Sequence, residues 1–86
     1  MEIKKELIKR EIAGDTILVP VGKTVYDSNG LFALNELGAF IWDRLAKANS
    51  REDLLNAVLV EYEVTPEEAA ADIDAFLAKL NSLGII

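Results

Sequence analysis

Acid–base chemistry in this chain would have to come from carboxylates, because the sequence contains neither His nor Cys. Two carboxylate pairs stand out, Glu67-Glu68 and Asp72/Asp74. Paired carboxyl groups can divide the acid and base roles when they flank a substrate. Here the first pair sits where a helix N-terminus favours negative charge, and the second reads as a solvated helix face. The segment "DSNG" (27–30) offers oxygen ligands but lacks the carboxylate count of a calcium loop, so it reads as a turn. Lys4, Lys5, Lys9 and Arg10 form a basic cluster that could touch phosphate, or could solvate a sheet edge and discourage aggregation. Without imidazole or thiol the usual general base, the usual metal ligands and both common triad types are missing. The expectation is a non-enzyme with no catalytic residue, no metal and no cofactor.

What remains is binding, and size points the same way. A chain of 86 residues, 51% hydrophobic and 28% charged, supports one modest core, so a single domain over 1–86 is expected. Such a chain buries only about 60% of its unfolded surface, and a partner covering more apolar area would stabilise it. The absence of Cys excludes a disulfide framework. No apolar run approaches the roughly 20 residues that span a bilayer, and the opening "MEIKKELIKREIAG" alternates charge with aliphatics, so a soluble cytoplasmic protein without a membrane partner is expected. Residues 1–25 hold five basic and four acidic side chains, net +1, and the rest holds four against eleven, net −7. Nucleic acid is repelled by such a surface, since phosphate affinity needs Lys and Arg to displace counterions.

The elements that must carry any binding site follow from pattern. "ELIKREIA" (6–13) alternates as a strand, with Leu7, Lys9 and Glu11 on one face and Ile8, Arg10 and Ile12 on the other. Gly14-Asp15 reads as a Gly-first hairpin turn of II′ geometry, and "TILVPV" (16–21) as the returning strand, with Pro20 where its pairing stops. "GKTVYDSNG" (22–30) is a loop ending in the turn dipeptide Asn29-Gly30, and "LFAL" (31–34) is a third strand. Asn35 is an N-cap, Glu36 suits the first helical turn, and Leu37, Phe40, Ile41 and Leu45 repeat at helical spacing. Gly38, on the flank of that stripe beside Trp42, is either a first-turn residue where glycine costs little or a point of close backbone approach. A second helix opens with Ser50 and Asp53 and buries Leu54, Leu55, Val58, Leu59 and Tyr62. A third opens with Thr65, Pro66 and Glu68, carries the stripe Ile73, Phe76, Leu77 and Leu80, and ends near residue 83. Gly84 is placed for a left-handed cap, with Ile85 folding back on Leu80.

The fold class is therefore α+β: a three-stranded antiparallel sheet followed by three helices, an order compatible with a winged helix. A DNA-binding winged helix-turn-helix is one functional reading. Against it, the third helix carries Glu67, Glu68, Asp72 and Asp74 with Lys79 as its only basic residue, the wrong sign for a major groove. A meander also leaves the third strand with an unpaired edge that "GLFAL" protects with no Lys, Pro or bulge. Three occupants fit that edge: the chain's own third helix, a second copy in a self-associating module or homodimer, or an extended peptide adding as a fourth strand.

The segments "LNELGAFIWDRL" (34–45) and "EYEVTPEEAAADIDAFLAKLNSLGII" (61–86) resemble the family of pyrroloquinoline quinone (PQQ) synthesis protein D, PqqD. Its members show a Leu-Asn-x-x-Gly-x-x-Ile/Leu-Trp segment and end in an Asp-hydrophobic-x-x-Phe-Leu helix closed by Gly and two aliphatics. The resemblance covers nearly the whole chain, weakly in 1–30 and strongly thereafter. It implies a recognition element for ribosomally made, modified peptides (RiPPs), a non-catalytic peptide chaperone that binds the leader of a precursor and presents it to a modifying enzyme, often a radical S-adenosylmethionine enzyme. It also implies that the leader adds to the third strand and lies between that strand and the third helix. On this sequence the edge would be Leu31, Phe32, Ala33 and Leu34, with Asp72, Ala75, Phe76, Lys79 and Leu83 along the helix. The apolar stripe does not fix which side of that helix faces the groove. The acidic helices suggest a basic leader or a basic modifying enzyme. The same domain serves several peptide pathways, so PQQ biosynthesis is not implied as the product route.

Overall fold

A computed structural model of the chain describes residues 1–22 and 32–86. Its elements run β1 (Leu7–Ile12), β2 (Asp15–Pro20), β3 (Phe32–Leu34), α1 (Glu36–Leu45), α2 (Arg51–Glu61) and α3 (Pro66–Ser82). The sheet is antiparallel in the order β1-β2-β3, so the architecture is the expected three strands followed by three helices. The loop expected over 22–30, with its Asn29-Gly30 turn, lies almost wholly outside the described residues, as does Leu31.

The first hairpin turns one residue earlier than expected. Ile12 pairs with Asp15, and the two turn residues are Ala13 (φ 53°) and Gly14 (φ 85°), the pair of positive φ values that a type I′ turn requires. Placing Ala13 there costs on the order of 1–2 kcal/mol. In return all six residues of β1 pair with β2, whereas a Gly14-Asp15 turn would push Leu7 against Gly22. The two registers differ by two residues, so every side chain keeps its face.

Hydrogen bonding alternates across this ladder in a way that decides the free edge. The Val21 N–H donates to the Glu6 carbonyl (3.0 Å), which makes 6 and 21 a bonded pair. Antiparallel alternation then gives Val19, Ile17 and Asp15 to β1 and leaves Thr16 and Leu18 to bond β3 through Leu34 and Phe32. Ala33, opposite Ile17, therefore turns its N–H and C=O away from β2. Pro20 has its nitrogen on the side away from β1, so its missing N–H leaves that ladder intact, and pairing runs one residue beyond it to Val21.

Of the two sheet faces, the one bearing Leu7, Lys9, Leu18, Phe32 and Leu34 meets the helices. Leu18 is completely buried, while Ile8 and Ile12 on the opposite face are exposed. Lys9 stands on the inner face at its rim, where Nζ reaches Asp43 of α1 at 2.6 Å. The core joins Ile41 and Leu45 of α1 and Leu54 and Val58 of α2 to Ala69, Ile73 and Leu80 of α3.

Each helix starts at the cap expected of it. The Asn35 side-chain oxygen accepts from the Gly38 N–H (2.7 Å), Ser50 Oγ from Asp53 N–H (3.4 Å) and Thr65 Oγ1 from Glu68 N–H (3.1 Å). The Asp53 carboxylate accepts from the N–H of Asn49, one residue before the cap. At the end of α3, Gly84 (φ 73°) donates to the Asn81 carbonyl and Ile85 to that of Leu80, at 3.0 and 2.9 Å. That bond pair is a complete Schellman ending, and Ile85 is buried with Leu80. The N-terminal segment fastens to it: Lys4 N–H donates to the Ile85 carbonyl (2.6 Å) and Lys5 Nζ to that of Leu83 (2.9 Å). Of the basic cluster, Lys5 and Lys9 thus serve intramolecular contacts.

Candidate functional site

Between β3 and α3 lies an open groove of about 530 Å³. Its first wall is β3, with Phe32 and Leu34 facing the groove and Ala33 presenting backbone at the edge. The second wall is one side of α3, where Asp72, Ala75, Phe76 and Lys79 fall at i, i+3, i+4 and i+7 and so share a face. That face adjoins the buried stripe of Ala69, Ile73 and Leu80, and Phe76 belongs to both, its ring stacked on Phe32 with centroids 6.3 Å apart.

The floor comes from the strand-to-helix junction. Because α1 starts immediately after β3, its first turn is carried beneath the groove, and Asn35, Leu37, Gly38 and Ile41 all line it. A Cβ on Gly38 would stand 3.1 Å from Asn35 Oδ1, 3.5 Å from Phe76 Cε1 and 3.6 Å from Leu34 Cδ2. Gly38 is thus both a first-turn residue and a point of close approach, where a side chain would crowd Asn35, Phe76 and Leu34 at the bottom of the groove. Tyr62, the C-cap of α2, also lines the groove and is held edge-on against Phe40 at 5.2 Å, with the Arg44 guanidinium 3.6 Å from the Phe40 ring centre.

The groove is apolar within and charged at its mouth. Lys79 Nζ lies 4.5 Å from the centre of the Phe32 ring, while Glu36 and Asp72 contribute carboxylates. Away from the groove, Asp74 on the same helix has a cation partner. Arg51 grips Asp74 through both oxygens, Nε to Oδ1 at 2.5 Å and a terminal nitrogen to Oδ2 at 3.0 Å. Those hydrogen bonds hold the Asp74 carboxyl below the usual carboxylate range, against a smaller opposing effect of desolvation. Among the described residues no group of His, Cys, Asp and Glu side chains is placed to hold a metal ion.

The family model for coenzyme PQQ synthesis protein D (PqqD) matches residues 16–86. The chain belongs to the PqqD family. Two solved structures share its fold: "TbiB1 in Complex with the TbiA(beta) Leader Peptide", 24% identical with a TM-score of 0.74 over 99% of this chain and 93% of that one, and "Lasso peptide synthetase B1 complexed with the leader peptide", 25% identical with a TM-score of 0.73 over 98% and 93%. No curated protein matches the chain.

In this PqqD-family chain, seven of the nine residues expected at a peptide site line the groove: Phe32, Ala33, Leu34, Asp72, Ala75, Phe76 and Lys79. Leu31 lies outside the described residues. Leu83 is not in the lining; it is the C-cap of α3, one turn past Lys79, and its carbonyl accepts from Lys5. Sequence reasoning missed the α1 floor and Tyr62 as groove residues. For the floor the signal was Gly38, a glycine three residues after a cap on the flank of an apolar stripe; for Tyr62 the sequence offers only a core-stripe position.

Proposed function

We propose that this protein is a non-catalytic carrier that captures the leader of a ribosomally made precursor peptide by strand addition at β3 and presents it to a modifying enzyme. One observation carries the reading: Ala33 turns its N–H and C=O outward beside an apolar groove. A strand laid there gains backbone hydrogen bonds from the edge, at roughly 1 kcal/mol net each, and apolar burial from the groove. Both similar structures named above hold leader peptides, which supports this choice of occupant. A chain without His or Cys fits a carrier better than a catalyst. As the enzyme partner we take a radical S-adenosylmethionine enzyme, on the family resemblance, and as the setting the cytoplasm, where precursors are synthesised. Nucleic acid has no place in this reading, because the exposed side of α3 is acidic.

The test uses Ala33→Pro and a panel of fluorescein-labelled synthetic leader peptides of ribosomally made precursors, titrated by fluorescence anisotropy; at least one should bind the unaltered protein. Proline deletes the outward donor and sets its ring against an incoming strand, while the bonds from Phe32 and Leu34 to β2 stay in place. Affinity should fall about tenfold or more, with helical circular dichroism retained. Capture at unchanged affinity refutes strand addition at β3.

A further inference from the structure

The groove has a polarity, and it reaches the occupant's sequence. Phe76 relates to both ends of β3: its ring stacks on Phe32, and its edge and the Leu34 side chain both stand within 3.6 Å of where a Gly38 Cβ would be. One turn later Lys79 sits over Phe32. Passing from Asp72 to Lys79 along α3 therefore means passing from the Leu34 end of β3 to the Phe32 end, and α3 runs opposite to β3. Glu36, two residues past Leu34, joins Asp72 at the first end. Seven residues of helix set Asp72 and Lys79 about 10 Å apart.

None of these three charges has an ion-pair partner among the described residues. Asp43 has Lys9 and Asp74 has Arg51, but among the described residues neither Glu36 nor Asp72 meets a basic side chain, and Lys79 meets an aromatic face instead of a carboxylate. Held open at the mouth of an apolar groove, they are available to a partner of complementary charge.

Resting on the carrier reading above, we infer that the bound peptide alternates in the pattern basic–x–apolar–x–acidic, read from its N-terminus. An antiparallel addition continues the existing sheet and runs the peptide alongside α3, its N-terminal end at Asp72. Side chains facing the groove recur every second residue and 6.6–6.8 Å, so three of them, at i, i+2 and i+4, bracket the two charges. The first meets Glu36 and Asp72, the second enters the floor over Gly38 against Phe76, and the third meets Lys79. The groove thus reads charge order as well as hydrophobicity, which lets it reject a leader of the same composition laid in reverse.

A displayed library with eight randomised positions, selected on the whole protein, on Lys79→Glu and on Ala33→Pro, tests this. On the unaltered protein, selected peptides should carry Lys or Arg at i and Asp or Glu at i+4 about tenfold more often than the opposite order. On K79E the acidic preference should vanish and basic residues should appear at both positions. On A33P nothing should enrich. Apolar-centred peptides that need the Ala33 edge but show no charge order, or the reverse order, overturn this inference and leave the carrier reading standing. Peptides that survive A33P, or no enrichment on the unaltered protein, overturn the carrier reading and this inference with it.

Discussion

Gly38→Ala separates what the fold needs from what the groove needs. Alanine is worth about 1 kcal/mol over glycine in a helix interior, and less at the third helical position. Against that gain, the new methyl would sit 3.1 Å from Asn35 Oδ1, so the capping oxygen must retreat by a few tenths of an ångström. The cap bond starts at 2.7 Å and at about 3.0 Å is still a good hydrogen bond, so most of its roughly 1 kcal/mol survives. Phe76 and Leu34, at 3.5 and 3.6 Å, are at ordinary contact distance. The two effects nearly cancel, and the melting temperature should move by less than about 4–8 °C in either direction. Capture should behave differently. The methyl fills the floor that an apolar peptide side chain would occupy, and overfilling a packed site costs roughly 1–3 kcal/mol, or about five- to 150-fold in affinity. Thermal melting by circular dichroism and anisotropy with a leader peptide that the unaltered protein binds read the two quantities separately. Unchanged affinity would refute the floor as a contact, and a loss of several kcal/mol in stability would show that the glycine serves packing alone.

Two further outcomes concern stability. Leu80→Ala empties a fully buried position beneath the Schellman ending and should cost about 2–5 kcal/mol in urea unfolding, because α3 joins the core there to α1 and α2. The Asp74 carboxyl, lowered in the folded state by its bonds from Arg51, contributes stability that is complete above the ordinary carboxylate pKa and is lost as pH falls through the lowered one. Unfolding midpoints of Asp74→Asn should therefore fall less steeply than those of the unaltered protein on acidification, and parallel curves would contradict this.

Much of the architecture was written locally. Asn35, Ser50, Thr65 and Gly84 terminate helices through bonds to residues three to five positions away, so a short window holds both partners. Ala13 shows the limit of such reading: its left-handed conformation is unfavourable in isolation and persists because the rest of the hairpin fixes the register. The face of α3 was hidden for a related reason. Ile73 and Leu80 mark the buried stripe, but only the placement of β3 shows that Asp72, Ala75 and Lys79 border a groove instead of open solvent. Tyr62 was legible as an apolar position and illegible as a groove residue, since its placement depends on Phe40 from another helix.

Among the described residues the third strand offers an incoming chain little backbone of its own. Within Phe32–Leu34 only Ala33 turns its N–H and C=O outward, too few groups to hold an added chain by backbone alone. A guest would therefore need added grip from the trough alongside, so that fit to the trough, more than the strand's margin, would set which visitor stays.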